Sequence, residues 1–167
     1  GSADAYLFWC CSDIFEEQVM LPQPFVGSYG IVSNDGIPKP NFWGFKLLSQ
    51  LYPQRLPAPK DGEIDCGVFT DGQNVQILLT PQDGDYYADR AFTVDISLDF
   101  EAAEVTIQRI DDGHCNPKRL WHELGSPANL TRVQAAEIAE KTRLRVEPLE
   151  FTHVGGQTRL SVSLRSN

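Results

Sequence analysis

The spacing of apolar residues changes across a short proline-rich segment, residues 53–62, and this change divides the chain into two parts. Before the segment the spacing is that of an amphipathic helix, and the apolar positions are Phe42, Phe45, Leu48 and Leu51. After the segment, residues 64–70 alternate between apolar and other side chains, as in a strand with one buried face. We therefore predict a helix from residue 40 or 41 to about residue 51, then a linker, then a separate domain.

The part after the linker is predicted to be mainly β. Alternating runs separated by turn signals, such as Asp71-Gly72 and Gly155-Gly156, are typical of short antiparallel strands. The expected strands are residues 64–70, 74–80, 92–100, 105–110, 144–152 and 158–164. Six such strands indicate a β-sandwich.

Two short helices are expected within this β-rich part. Asn116-Pro117 combines a capping residue with a proline at the first helical position, so a helix should run from there to Gly125. Thr131 with Gln134 three residues later is a capping-box pattern, which predicts a second helix ending near Lys141.

An apolar, aromatic run opens the chain and stops abruptly. Residues 6–11 read Tyr-Leu-Phe-Trp-Cys-Cys and are followed by Ser12-Asp13, which fits a strand buried on both faces, as in a parallel sheet. Residues 16–30 contain two prolines and two glycines and predict a long loop. The order is therefore strand, loop and helix, with the strand over residues 5–11. In sheets of this kind, chemistry gathers in the loops after the strands.

Charge and length exclude several classes of function. The chain has 167 residues and a formal net charge of −9, which opposes a nucleic-acid partner, because phosphates recruit basic surfaces, and also an anionic membrane. No apolar run approaches the roughly 20 residues that span a bilayer. Gly1-Ser2 resembles a cloning remnant, so the sequence leaves both cytoplasmic and secreted locations open.

The four cysteines do not follow a metal-binding spacing. They are Cys10, Cys11, Cys66 and Cys115. Neighbouring cysteines on a strand point to opposite faces, so we expect free, mostly buried thiols. His114-Cys115 with His122 also lacks the spacing of a known zinc pattern. We expect no metal and no cofactor.

Several separated motifs carry a family resemblance. They are Trp9, residues 12–17 (SDIFEE), 25–31 (FVGSYGI), 35–40 (DGIPKP) and 42–48 (FWGFKLL), and then Asn116-Pro117, Leu120-Trp121 and residues 124–127 (LGSP). Together these motifs closely resemble glycoside hydrolase family 39, which contains the β-xylosidases and the α-L-iduronidases. The β-xylosidase branch is nearer.

The resemblance implies that the chain is the C-terminal portion of a larger enzyme. Residues 1–52 would be the last strand-loop-helix unit of a (β/α)8 catalytic barrel, residues 53–62 a linker, and residues 63–167 an accessory β-sandwich. The implied partners are a carbohydrate substrate, a xyloside, in the full-length enzyme and the missing barrel of the same protein. A strand without its neighbours leaves an open edge, so self-association of the chain is also expected.

No catalytic residue is expected in this chain. Family 39 enzymes retain configuration and use two glutamates on the fourth and seventh barrel strands, with the acid/base in an Asn-Glu-Pro motif. The chain has no such motif, and Val146-Glu147-Pro148 is a chance near-match on a predicted sandwich strand. Glu16 and Glu17 are neighbours whose side chains point apart in extended chain, so they are unsuited to flank one bond. The chain alone should be inactive.

The resemblance instead implies a substrate-binding role for Trp9, Glu16 and Glu17. Trp9 would form part of the apolar platform beneath the sugar ring, where an indole face buries C–H groups without desolvating hydroxyls. One of the two glutamates would hydrogen-bond a sugar hydroxyl. The alternative is that Trp9 is plain barrel core and both glutamates are solvated.

The chain departs from the family pattern in two places, and two other functions compete. Cys10-Cys11 replaces a threonine and an aromatic residue, and residues 26–28 (Val-Gly-Ser) replace a histidine and two glycines, which puts the exact sugar in doubt. The aromatic pair Tyr86-Tyr87 would suit a carbohydrate-binding module. The third hypothesis, which we favour for the sandwich together with the hydrolase assignment of the whole protein, is a purely structural role: the sandwich would support the barrel and mediate oligomerisation.

Overall fold

Strands dominate the computed structural model, which describes residues 7–14, 23–25, 29–59, 62–82 and 90–165. The helices in this part of the chain are α1 (Pro40–Ser49), α2 (Pro117–Glu123) and α3 (Arg132–Lys141). The strands are β1 (Gln54–Leu56), β2 (Ile64–Thr70), β3 (Val75–Pro81), β4 (Ala91–Leu98), β5 (Thr106–Ile107), β6 (Glu147–Pro148), β7 (Thr152–Val154) and β8 (Gln157–Arg165). The predicted mainly β class with a few helices is confirmed.

The chain folds as two compact units that do not follow sequence order. The first unit joins residues 1–47 to residues 109–145, and the second joins residues 48–108 to residues 146–167. Helices α2 and α3, which the sequence places among the strands, therefore belong to the first unit. The reason is a shared core in which Phe25 and Ile37 pack with Trp121 and Ile138.

The expected N-terminal strand is corrected by the structure. Residues 7–11 do not form a strand, and the pairing begins only with an isolated parallel bridge between Ser12 and Val32. Val32 also bridges Pro38 in the antiparallel sense. A strand requires a continuous ladder of partners, and no described segment forms a ladder with residues 7–11, although the Cys11 carbonyl oxygen accepts from the Val32 N–H.

The helices begin where their capping residues predict. Proline opens α1 at Pro40, and the Asn116 side chain accepts a hydrogen bond from the Arg119 N–H at the start of α2. Thr131 and Gln134 form both bonds of a capping box at α3. Helix α1 ends at Ser49, slightly before the expected end at residue 51.

The first sheet of the second unit has the order β1-β2-β3, all antiparallel. The predicted hairpin is confirmed by the pairing of Ile64 with Pro81 and of Thr70 with Val75. Strand β1, however, lies in the segment predicted as linker. The chain there is ordered because the Tyr52 N–H donates to Gln76 Oε1 at 2.8 Å, and β1 then pairs with the free edge of β2.

The second sheet has the order β4-β8-β7, and β5 pairs with β6 separately. Phe92 pairs with Leu164 and Val94 with Val162, as the alternation predicts. The run predicted as one strand over residues 144–152 is instead split into β6 and the start of β7. Pro148 has no N–H to continue the ladder. The strand expected over residues 105–110 is reduced to β5, because the chain joins the first unit from Arg109 onward.

Candidate functional site

A buried polar site in the first unit lies just after the apolar run. The Val32 N–H donates to the Cys11 carbonyl oxygen at 3.0 Å, and the Asp13 N–H donates to the Val32 carbonyl oxygen at 2.9 Å. The Lys39 N–H donates to the Ile31 carbonyl oxygen at 2.9 Å. Residues 11–13 therefore lie beside residues 31–33, with residues 37–39 on the far side.

A single carboxylate oxygen joins these segments. Asp13 Oδ1 accepts from the Gly30 N–H at 3.0 Å and from Lys39 Nζ at 2.6 Å. The side chain of Asp13 is 2% exposed and that of Lys39 is 14% exposed, so this is a buried, charge-assisted pair. We call Asp13, Gly30 and Lys39 the Asp13 clasp.

Glycine is required at position 30 of the clasp. A Cβ on Gly30 would overlap main-chain atoms of Ser12 and Asp13. The absence of a side chain lets the two backbones approach closely enough for the Gly30 N–H to reach the carboxylate.

A serine-centred turn places Lys39 opposite Asp13. Ser33 Oγ accepts from the Asp35 N–H at 3.3 Å and from the Ile37 N–H at 3.1 Å. Gly36 has φ +77°, a conformation that favours glycine. The turn reverses the chain, buries Ile37 in the core and brings Lys39 back beside residues 12–13.

Trp9, the predicted sugar platform, lies two residues before this paired segment. Its side chain is 67% exposed, and the preceding residue, Phe8, packs against Phe45 with 5.2 Å between ring centroids. Nearby in sequence, Ile14 is also largely exposed. The indole is thus largely exposed, while Phe8 packs against α1.

The structure does not place the remaining predicted site residues beside Trp9. Glu16 and Glu17 lie outside the residues that the structure describes, as does the Tyr86-Tyr87 pair. Glu147 lies on β6 in the second unit, where it pairs with Ile107. Asp13 is bonded to two donors, the Gly30 N–H and the Lys39 ammonium.

The histidines and cysteines lie on different elements, with His122 on α2, Cys66 on β2 and His153 on β7. His114 Nδ1 lies 2.7 Å from Asp111 Oδ1, and His122 Nδ1 lies 2.8 Å from Ser126 Oγ. Burial raises the pKa of the Cys115 thiol to about 11, with a further contribution from the charge of Asp111. Among the described residues, no three histidine, cysteine or acidic side chains form a group suited to a metal ion.

The thiols are more exposed than the sequence predicts. All four are free, but only Cys115 is buried, and Cys11 is exposed. Cys10 and Cys11 follow Trp9 in a segment that is not a ladder strand, so the expected burial on both faces does not occur. Burial also raises the pKa of Cys66, which is half-buried.

A concave region lies along α2 and is lined by both acidic and basic side chains. Its volume is about 550 Å³, and its lining residues are Asp112, Asn116, Lys118, Arg119, His122 and Glu123. Acidic and basic groups are both present there. Arg119 and Glu123 form an ion pair at 3.8 Å, and Asn116 Nδ2 donates to Asp112 Oδ1 at 2.9 Å. The groove therefore shows no preference for one sign of ligand charge.

Sequence reasoning did not identify the clasp. Its signals are present, because Ser12-Asp13 ends the apolar run and Lys39 stands between two prolines. Their pairing is not local, however, since Asp13 and Lys39 are 26 positions apart.

None of the described helices is long and apolar enough to cross a membrane.

Comparison with known sequences gives a family match across most of the chain. A model described as glycosyl hydrolases family 39 matches residues 2–157. A β-xylosidase of Caldicellulosiruptor saccharolyticus is 30% identical over 151 residues, which cover 87% of this chain and 31% of that protein. A β-xylosidase of Geobacillus stearothermophilus is 28% identical over 166 residues, which cover 98% of this chain and 32% of that protein. The chain thus spans about a third of the length of these relatives.

Solved structures show the same fold. A monomeric β-xylosidase from Caulobacter crescentus CB15 superposes with a TM-score of 0.68 at 21% identity, covering 97% of this chain and 36% of the other. A GH39 enzyme from Xanthomonas axonopodis pv. citri superposes with a TM-score of 0.59 at 22% identity, covering 95% and 34%. At this identity the likeness concerns the fold.

Proposed function

The chain belongs to family 39 of the glycosyl hydrolases, and from this premise we propose that it is the C-terminal portion of a retaining, β-xylosidase-like enzyme. That enzyme would hydrolyse the O-glycosyl bonds of xylosides. The observation that carries the proposal is the match over residues 2–157 together with two β-xylosidase relatives that are each covered for only about a third of their length.

In this proposal residues 1–52 are the last strand-loop-helix unit of the catalytic barrel and residues 63–167 are an accessory β-sandwich. Helix α1, which follows the apolar run and the loop as expected for such a unit, supports the first part. The antiparallel sheets β1-β2-β3 and β4-β8-β7 support the second. The sandwich has a structural role.

The exposed apolar surface of the first unit supports the rest of the barrel as its partner. Leu7 is 94% exposed, and Trp9 and Ile14 also face outward. Further barrel polypeptide would cover these apolar side chains.

The two catalytic carboxyl groups would lie in that further polypeptide. Retaining hydrolysis requires an acid/base and a nucleophile about 5–5.5 Å apart. Asp13, the buried carboxylate nearest to Trp9 in sequence, is neutralised by Lys39. The chain by itself is therefore non-catalytic.

Its contribution to the site would be substrate binding. The exposed indole of Trp9 would lie under the apolar face of the xylose ring, and Glu16 or Glu17 would bind a hydroxyl. No cofactor is required, because two carboxyl groups suffice for this chemistry.

The test compares three samples on an aryl β-xyloside: the full-length protein, this chain alone, and the full-length protein with Trp9→Ala. We expect turnover by the first, none by the second and a raised KM in the third. Glu63→Gln, an exposed residue of the second unit, is the matched control. Turnover by this chain alone, lost on changing one of its own carboxylates, would overturn the proposal.

A binding assay separates the competing functions. Affinity of the isolated chain for xylan, with no hydrolysis by the full-length protein, would instead identify a carbohydrate-binding module. Light scattering of the isolated chain tests self-association. A stable dimer that dissociates when the remaining barrel is added would indicate that the apolar surface pairs with a copy only in the absence of its proper partner.

A further inference from the structure

We propose that Asp13 is a positioning residue for the sugar platform: through the clasp it fixes the main chain that carries Trp9. The inference rests on the proposed function and extends it to residues that do not touch the sugar. Asp13 lies four positions after Trp9, in the segment of residues 11–13 whose main chain is bonded to Val32.

The clasp fixes this point from two independent directions. The main chain of residues 11–13 is bonded to Val32 on both its carbonyl and its N–H side. The carboxylate of Asp13 is bonded to the Gly30 N–H and the Lys39 ammonium through the same oxygen. Rotation of the Ser12-Asp13 peptide would break bonds of both kinds, so the position of the preceding residues is defined at their C-terminal end.

The clasp also joins two residues that are distant in sequence. Asp13 and Gly30 are 17 positions apart and are joined by one hydrogen bond. Glu16 and Glu17 fall between them in sequence. On the other side of Trp9, Phe8 packs against Phe45.

A charged pair at this buried site favours a geometric role over a purely stabilising one. Replacing a buried ion pair with apolar residues of similar volume is often neutral or stabilising, because burying charges costs desolvation energy. An apolar pair, however, has no directional bonds. The carboxylate fixes the Gly30 N–H at 3.0 Å and Lys39 Nζ at 2.6 Å, which an apolar pair cannot do.

The experiment uses the full-length protein and an aryl β-xyloside. Asp13→Asn keeps an oxygen for the Gly30 N–H and removes the charge, whereas Lys39→Met removes the ammonium and leaves Asp13 in place. We expect each to raise KM by roughly tenfold, with a smaller change in kcat, because a loosened platform weakens binding of substrate and transition state alike. Lys39→Arg, which keeps the positive charge, should keep most of the affinity for the substrate.

The matched control is the exposed ion pair between Arg90 and Glu63, which has the same 2.6 Å length. Glu63→Gln should leave both kinetic constants unchanged. Active-site titration separates positioning from folding, because a residue that only stabilises the fold lowers the active fraction and leaves KM of the active molecules unchanged. Asp13→Ala removes the whole carboxylate group. If that variant fails to fold, Lys39→Met still tests the loss of the ion pair.

The outcomes distinguish the two proposals. If the unmodified full-length protein does not hydrolyse xylosides, the proposed function fails, and the positioning role fails with it. If it is active and both Asp13→Asn and Lys39→Met keep the original KM, the positioning role alone is overturned. A raised KM in both variants, together with a nearly original KM in Lys39→Arg, supports the role.

Discussion

The ring of Phe25 lies edge-on to the indole of Trp121, with 6.1 Å between the ring centroids and 60° between the ring planes. The indole N–H of Trp121 donates to the Pro127 carbonyl oxygen at 3.0 Å, so its polar atom is satisfied in the core. This contact joins the loop before α1 to the helical part of the chain and explains why the two share a unit despite their distance in sequence.

Truncating this aromatic pair should destabilise the first unit. Phe25→Ala and Trp121→Ala each remove a large buried ring, and we expect a loss of about 3–5 kcal/mol in the free energy of unfolding. The double variant should show a coupling of about 0.5–1.5 kcal/mol, the usual value for an edge-on pair. Urea unfolding measures both quantities. Leu124→Ala, at an exposed site, is the control and should change stability little; equal losses at all three sites would contradict the assignment of this core.

Two glycines should respond oppositely to alanine. At Gly44, on α1, an added Cβ meets no described atom within 4 Å, so Gly44→Ala should stabilise the helix by about 1 kcal/mol through reduced backbone entropy. Gly30→Ala should destabilise the chain, because its Cβ would overlap the backbone of residues 12–13. Thermal unfolding of both variants tests the prediction. A loss of stability in Gly44→Ala would show that this face of α1 is in contact with other residues.

The capping box of α3 offers a local test. The Thr131 N–H donates to Gln134 Oε1 at 2.9 Å, and Thr131 Oγ1 accepts from the Gln134 N–H at 3.2 Å. Thr131→Ala removes the side-chain acceptor and should lower stability by about 1 kcal/mol. Thr131→Ser keeps the hydroxyl and should be nearly neutral. Chemical denaturation of the two variants decides, and a loss of equal size in both would refute the capping role.

The thiols should react in the order of their exposure and pKa. Exposed Cys11 should be modified first, and Cys115 last. The pKa of Cys115 is raised to about 11 because burial disfavours the thiolate, so at pH 8 only on the order of one thiol in a thousand is ionised. Its reaction should accelerate as pH rises toward that value. Mass spectrometry after timed alkylation measures the order, and Cys11→Ser should remove the fast phase. Early labelling of Cys115 in folded protein would contradict its burial.

Local signals in the sequence were sufficient for several elements. Proline at residue 40, asparagine at residue 116 and threonine at residue 131 mark helix starts within one turn of the affected backbone. The Asp71-Gly72 and Gly155-Gly156 turns likewise place their strands, and both glycines of the second turn have positive φ. These signals act between residues a few positions apart, so no knowledge of distant contacts is needed.

Tertiary contacts decided the rest. The apolar run before Ser12 satisfies a strand pattern, yet no described segment forms a continuous ladder with residues 7–11, so the run is not a strand. Conversely, β1 forms in a proline-rich segment because the Tyr52 N–H donates to Gln76 and because β1 pairs with the edge of β2. The link between Asp13 and Lys39 likewise depends on the chain reversal between Ser33 and Ile37 and on the close approach of Gly30 to residues 12–13. The amino-acid sequence thus determined which short segments could become helix, strand or turn, whereas long-range packing and hydrogen bonding determined which of them found partners.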